Sequence, residues 1–151
     1  MRVIFGIFPL LAIPVIIYNL MAFTHGGGGA DAAGVAISMA RQISDPTLSG
    51  WKLPMAGGEW IITSGDLLVM LSMVFFFVEI LKSTSTGSST IANHAVSMVV
   101  FIVCLIEFLL LENFATSVFF ILTLMCLLDV LAGVVVTIIS ARRDFTVDGN
   151  R

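Results

Sequence analysis

The chain is 151 residues long, with 58% hydrophobic and 11% charged residues, whereas soluble domains carry about 25% charged residues. A mean hydropathy of +1.09 excludes an ordinary water-soluble domain and points to a polytopic membrane protein. Seven Lys and Arg against ten Asp and Glu give a net charge of −3 and a pI near 5.1 with no basic cluster, which argues against nucleic acid as a partner.

The first predicted span covers residues 3–23, which include no charged side chain. Its Pro9 and Pro14 are tolerable in a membrane helix, and a kink is expected near Pro14. Arg2 followed by an apolar run imitates a secretory signal. The run is longer than an ordinary signal core and holds both prolines, so an uncleaved anchor is expected.

Residues 24–59 form the first loop, predicted to lie outside the cytoplasm. Gly26, Gly27, Gly28 and Gly29 suit a hinge and not a phosphate loop, because no Lys-Ser or Lys-Thr follows and no strand precedes. Asp31 is placed to cap a short interfacial helix whose apolar positions Ala32, Ala36, Met39 and Ile43 recur at three- and four-residue steps, ended by Pro46. Trp51 and Trp60 are expected at the membrane interface on either side of 52–58. The loop is expected to dock back over helix ends.

The second span is predicted over 60–81, from Trp60 to the edge of Lys82, followed by a Ser, Thr and Gly tract at 83–90 suited to a turn. Spans three and four are predicted over 92–111 and 115–140, the last closed by Arg142 and Arg143. The connection at 112–114 is so short that these two must form an antiparallel hairpin. The expected fold is an all-α membrane protein, a four-transmembrane-helix bundle forming one integral domain over 1–151, with a short interfacial helix in its first loop. Arg2, Lys82, Arg142, Arg143 and Arg151 fall on one side and Arg41 and Lys52 on the other. The positive-inside rule therefore places both termini in the cytoplasm and the chain in the cytoplasmic (inner) membrane.

Four carboxylates fall within the predicted spans: Asp66, Glu79, Glu107 and Asp129. A charge at the centre of a membrane helix costs roughly 2.5 to 3.5 kcal/mol even on lenient scales. Glu79 stands three residues before Lys82, and a structural ion pair is expected there. At about 1.5 Å per residue, Asp66 is expected about 10 Å in from Trp60 and Glu107 about 7 Å in from Glu112. Asp129 falls near the middle of span four. With no Lys or Arg inside any span, no counter-charge within the chain is expected for Asp66, Glu107 and Asp129. They must then remain protonated, take a cation from water, or meet a base on another subunit.

On span four, Thr116, Thr123, Cys126, Asp129, Gly133, Thr137 and Ser140 recur at seven-, three- and four-residue steps. Within that stripe Thr123, Cys126, Gly133 and Thr137 are expected to carry close helix packing. Ser97, Cys104 and Glu107 do the same on span three. Cys104 and Cys126 are expected as buried thiols and not as a disulfide. His25 and His94 fall on opposite faces of the membrane, so haem is not expected. The phenylalanines read as core and lipid contacts.

No nucleophile has a base beside it, and no metal-ligand spacing occurs, so neither catalysis nor a cofactor is expected. Two roles fit. The first is an accessory or structural subunit of a cytoplasmic-membrane complex, whose partners are the lipid bilayer and the helices of other membrane proteins, in a homo- or hetero-oligomer. The second is an oligomeric proton- or cation-coupled transporter or channel with Asp66, Glu107 and Asp129 as relay sites.

Overall fold

A computed structural model describes residues 8–25, 43, 51–55, 58–83 and 88–148. The chain forms α1 (Ala12–His25), a hairpin of β1 (Trp51–Met55) and β2 (Gly58–Ile62), α2 (Ser64–Ser83), α3 (Ser88–Leu110), a single 3-10 turn (Glu112–Phe114) and α4 (Ser117–Asp148). Three stretches, Ser64–Lys82, Ala92–Leu110 and Ser117–Ile139, are long and apolar enough to cross a membrane. The apolar part of α1, Ala12–Thr24, is shorter.

Proline chemistry sets where α1 begins. Pro9 and Leu10 carbonyls accept the N–H groups of Ala12 and Ile13 at 3.0 and 3.1 Å, a turn that leads directly into the helix. Pro14 then falls in the first helical turn, where its missing N–H removes no intrahelical bond. The kink expected at Pro14 is thus replaced by a helix start just before it. The described segment 8–11 is not part of a continuous helix from residue 3.

The second helix also starts later than expected. Trp60, Ile61 and Ile62 pair with Leu53, Lys52 and Trp51 in an antiparallel ladder, so the helix opens at Ser64. Two physical signals favour this: β-branched residues at 61–63, and Thr63 followed three positions later by Asp66. Thr63 N–H and Oγ1 both donate to Asp66 Oδ2 at 2.9 and 2.7 Å, and Asp66 N–H donates to Thr63 Oγ1 at 3.2 Å. This reciprocal capping satisfies N–H groups that a helix start leaves open. Pro54 is compatible with β1 because a two-stranded hairpin has only edges. Thr63→Ala should cost about 1 kcal/mol, measured as the shift in unfolding in detergent micelles.

Helix α3 begins at Ser88, ahead of its apolar stretch Ala92–Leu110, which agrees with the span expected over 92–111, and α4 begins at Ser117 because Thr116 Oγ1 accepts the Phe119 N–H at 3.2 Å. Beyond the expected limit of 140, α4 continues through Arg142 and Arg143 to Asp148. The interfacial helix expected from Asp31 lies outside the described residues, except for helical Ile43. That residue is buried, with its carbonyl oxygen 2.9 Å from where a Cβ on Gly65 would stand.

Helix α4 is the centre of the bundle, packing along α2 and α3, with α1 against all three. Leu11, just before α1, and Val15, Tyr18 and Ala22 of α1 repeat at four- and three-residue steps and bury against Phe119, Leu122, Met125 and Cys126 of α4. Leucines, valines and isoleucines on the outer faces of α2, α3 and α4 remain exposed, a pattern compatible with contact to lipid. Tyr18 closes one end. Its ring stacks at 4.7 Å from Phe119 and 5.6 Å from Phe114, and its hydroxyl shares a 2.6 Å bond with Thr116 Oγ1 while donating to the Asn113 carbonyl at 3.2 Å. Tyr18→Phe keeps the packing and leaves Thr116 short of a partner. A loss of about 1 kcal/mol is expected, measured by the same unfolding experiment.

Candidate functional site

The four carboxylates occupy four different environments, and their neighbours decide what each one does. Asp66 is exposed in the first turn of α2 and engaged in the cap described above. It stands in the first turn of the Ser64–Lys82 stretch and not about 10 Å in, because residues 60–62 belong to a strand.

Glu79 is fully buried. Lys82, three residues on, reaches back with Nζ 3.1 Å from Glu79 Oε1. The same carboxylate accepts Asn93 Nδ2 of α3 at 2.6 Å and the Leu10 N–H at 2.8 Å. Lys82 Nζ also donates to the Phe8 carbonyl at 2.7 Å and to Asn93 Oδ1 at 2.8 Å. One ammonium, one carboxylate and one amide thus tie α2, α3 and the segment before α1 together. Ion pairing in a low-dielectric interior is worthwhile only when further bonds fill the remaining sites, and here Asn93 and the backbone fill them.

Asp129 of α4 is 1% exposed and Ser97 of α3 is 3% exposed. With Pro9, Leu11, Val100 and Cys126 they line a crevice too narrow for a water molecule. Asp129 Oδ1, Ser97 Oγ and both ring nitrogens of His94 are buried without a hydrogen-bond partner. Asp129 also lies within electrostatic range of Glu79, His94 and Lys82. The expectation that the chain offers Asp129 no base therefore needs correction. Lys82 folds inward from the end of α2, and His94 stands about 9 Å inside α3, counted from its actual start at Ser88 at 1.5 Å per residue.

His94 fits this interface because Gly133 opposes it. A Cβ on Gly133 would overlap His94 Nδ1, so only a glycine admits the ring. Thr123 and Cys126 are buried on the same face of α4, while Thr137 is exposed and its hydroxyl bonds back to the Gly133 carbonyl at 2.9 Å. Cys104 and Cys126 are free buried thiols, neighbours across α3 and α4.

Glu107 is half-buried on α3, and Asn19 Nδ2 of α1 donates to its Oε2 at 3.2 Å. Asn19 and Asn93 are the residues that sequence reasoning passed over. Each is an amide inside an apolar run, a costly placement that signals a hydrogen-bonded partner.

Among the described residues no group of three or more His, Cys, Asp or Glu is placed to hold a metal ion. Comparison with known protein families gives no match, and no curated protein or solved structure matches the chain either.

Proposed function

We propose that the chain is a small four-span integral protein of the cytoplasmic membrane, with both termini cytoplasmic, acting as an accessory or structural subunit of a membrane complex and not as an enzyme. In this reading the basic residues at 142 and 143 stay on the cytoplasmic side with Lys82. The observation that carries the reading is the division of side chains. Polar side chains such as Glu79, Lys82, Asn93 and Asn19 bind helices to one another, while the outward faces of α2, α3 and α4 are rich in exposed leucine, valine, isoleucine, methionine and phenylalanine. Such a surface offers contacts to lipid and to neighbouring helices and little else. Purification from native membranes in mild detergent should give the chain in a larger, stoichiometric assembly. Recovery as a free monomer across several lipid conditions would overturn the reading.

A second reading, proton- or cation-coupled permeation through an oligomer, is favoured by Asp129, Ser97 and His94. Asp129 and Ser97 line one crevice, and His94, whose ring nitrogens are buried without a hydrogen-bond partner, lies within electrostatic range of Asp129. On that reading the purified chain conducts in liposomes, and Asp129→Asn abolishes flux while circular dichroism stays unchanged. Absence of flux in the wild-type protein removes it.

A further inference from the structure

Glu107 and Asn19 stand side by side in the seam between α1 and α3, and both are only half-buried. Asn19 Nδ2 is committed twice, to the Val15 carbonyl at 3.1 Å and to Glu107 Oε2 at 3.2 Å. This leaves Asn19 Oδ1 and Glu107 Oε1, two acceptors with no donor among the described residues. Their surroundings are apolar. Ile16, Leu20 and Phe23 of α1 and Val103, Ile106 and Leu110 of α3 are all exposed large hydrophobics. Leu109, Leu110 and Leu111 extend that apolar surface beyond Glu107 towards the end of α3, so the carboxylate lies inside the greasy band and not at its rim.

Acceptors without donors are costly where water is scarce. A carboxylate beside an amide oxygen is matched best by a side chain that only donates and carries the opposite charge, which means the ammonium of Lys or the guanidinium of Arg. No helix of a second copy supplies one, because none of α1 to α4 carries a Lys or Arg at the end where Glu107 lies, and the bases assigned to that side, Arg41 and Lys52, fall in the first loop of the sequence and not in a span. We propose that the Glu107–Asn19 notch is the docking point for a transmembrane helix of a different protein, which presents one Lys or Arg about one turn inside its own end. The proposal rests on the subunit reading and names the chemistry of the partner. Charge complementarity fixes the depth and the identity of the anchoring residue, and the exposed side chains around the notch supply the packing.

The test uses the full chain in phosphatidylcholine vesicles and a synthetic polyleucine transmembrane peptide with or without a single lysine one turn from its end, with association read by energy transfer. The lysine peptide should associate at least about ten-fold more strongly than the all-leucine peptide. Glu107→Gln should erase that preference, and Asn19→Ala should reduce it while leaving helix content unchanged. Equal association of the two peptides, or a preference that survives Glu107→Gln, overturns the proposal. The two readings separate cleanly. A chain that purifies within a complex but ignores the lysine peptide loses the notch and keeps its role as a subunit. A chain that selects the lysine peptide but purifies alone from its native membrane keeps the notch and loses that role.

Discussion

Lys82→Met should destabilise the bundle by about 3 kcal/mol, the largest effect of a single substitution in this chain. The variant leaves the Glu79 carboxylate, which has no exposure to solvent, with only the Asn93 amide and the Leu10 N–H. It also strips the Phe8 carbonyl and Asn93 Oδ1 of their donor. An uncompensated buried charge is the costly part, not the missing contact itself. For that reason the double variant Glu79→Gln with Lys82→Met should be more stable than Lys82→Met alone. Reversible unfolding in mixed micelles, followed by circular dichroism, gives the four corners of the cycle. Strictly additive losses would mean that the ion pair and its amide do not act as a unit.

Gly133→Ala is the second large effect. The added methyl would overlap His94 Nδ1 and Cε1 and sit 2.7 Å from Cγ, so the ring must leave or α4 must move away from α3. A loss of about 2 kcal/mol is expected, typical of overpacking a well-filled interface. His94→Ala in the same background should restore most of it, because it removes the obstructing ring. Gly65→Ala provides the contrast. There the methyl would meet the Ile43 carbonyl oxygen and Val118 Cγ2, each at 2.9 Å. Half of that obstruction is backbone, and no side-chain truncation relieves it. Rescue at 133 and incomplete rescue by Val118→Ala at 65 would separate a side-chain conflict from a backbone one.

The two interfaces also differ in what they protect. Loosening α3 from α4 at Gly133 opens the region around Asp129 and Ser97, whereas loosening at Gly65 parts the start of α2 from Ile43 and from Val118 of α4. Losses of stability at the two sites should therefore add, since they share no partner.

Hydrophobic runs and their polar interruptions determined a good deal without any coordinates. The apolar cores of α2, α3 and α4 follow from run length alone, because a backbone in hydrocarbon must satisfy its own hydrogen bonds and a helix does so locally. The inward face of α4 was legible for the same reason: Thr123, Cys126, Asp129 and Gly133 share one helical stripe, and all four are buried. Periodicity is a property of the chain itself.

What periodicity does not contain is the identity of a neighbour. Glu79 and Lys82 are three residues apart and could be paired on paper. Asn93, the Leu10 N–H and the Phe8 carbonyl join them only through packing of α3 and the segment before α1. Asp66 illustrates the opposite error. The Thr63–Asp66 spacing carried a local capping signal, but the apolar strand residues before it imitated the start of a span. Tertiary structure decided that Asp129 lies near His94 and Lys82 and that Glu107 lies beside Asn19, because contacts between helices depend on their rotation and axial offset, quantities that no single helix encodes.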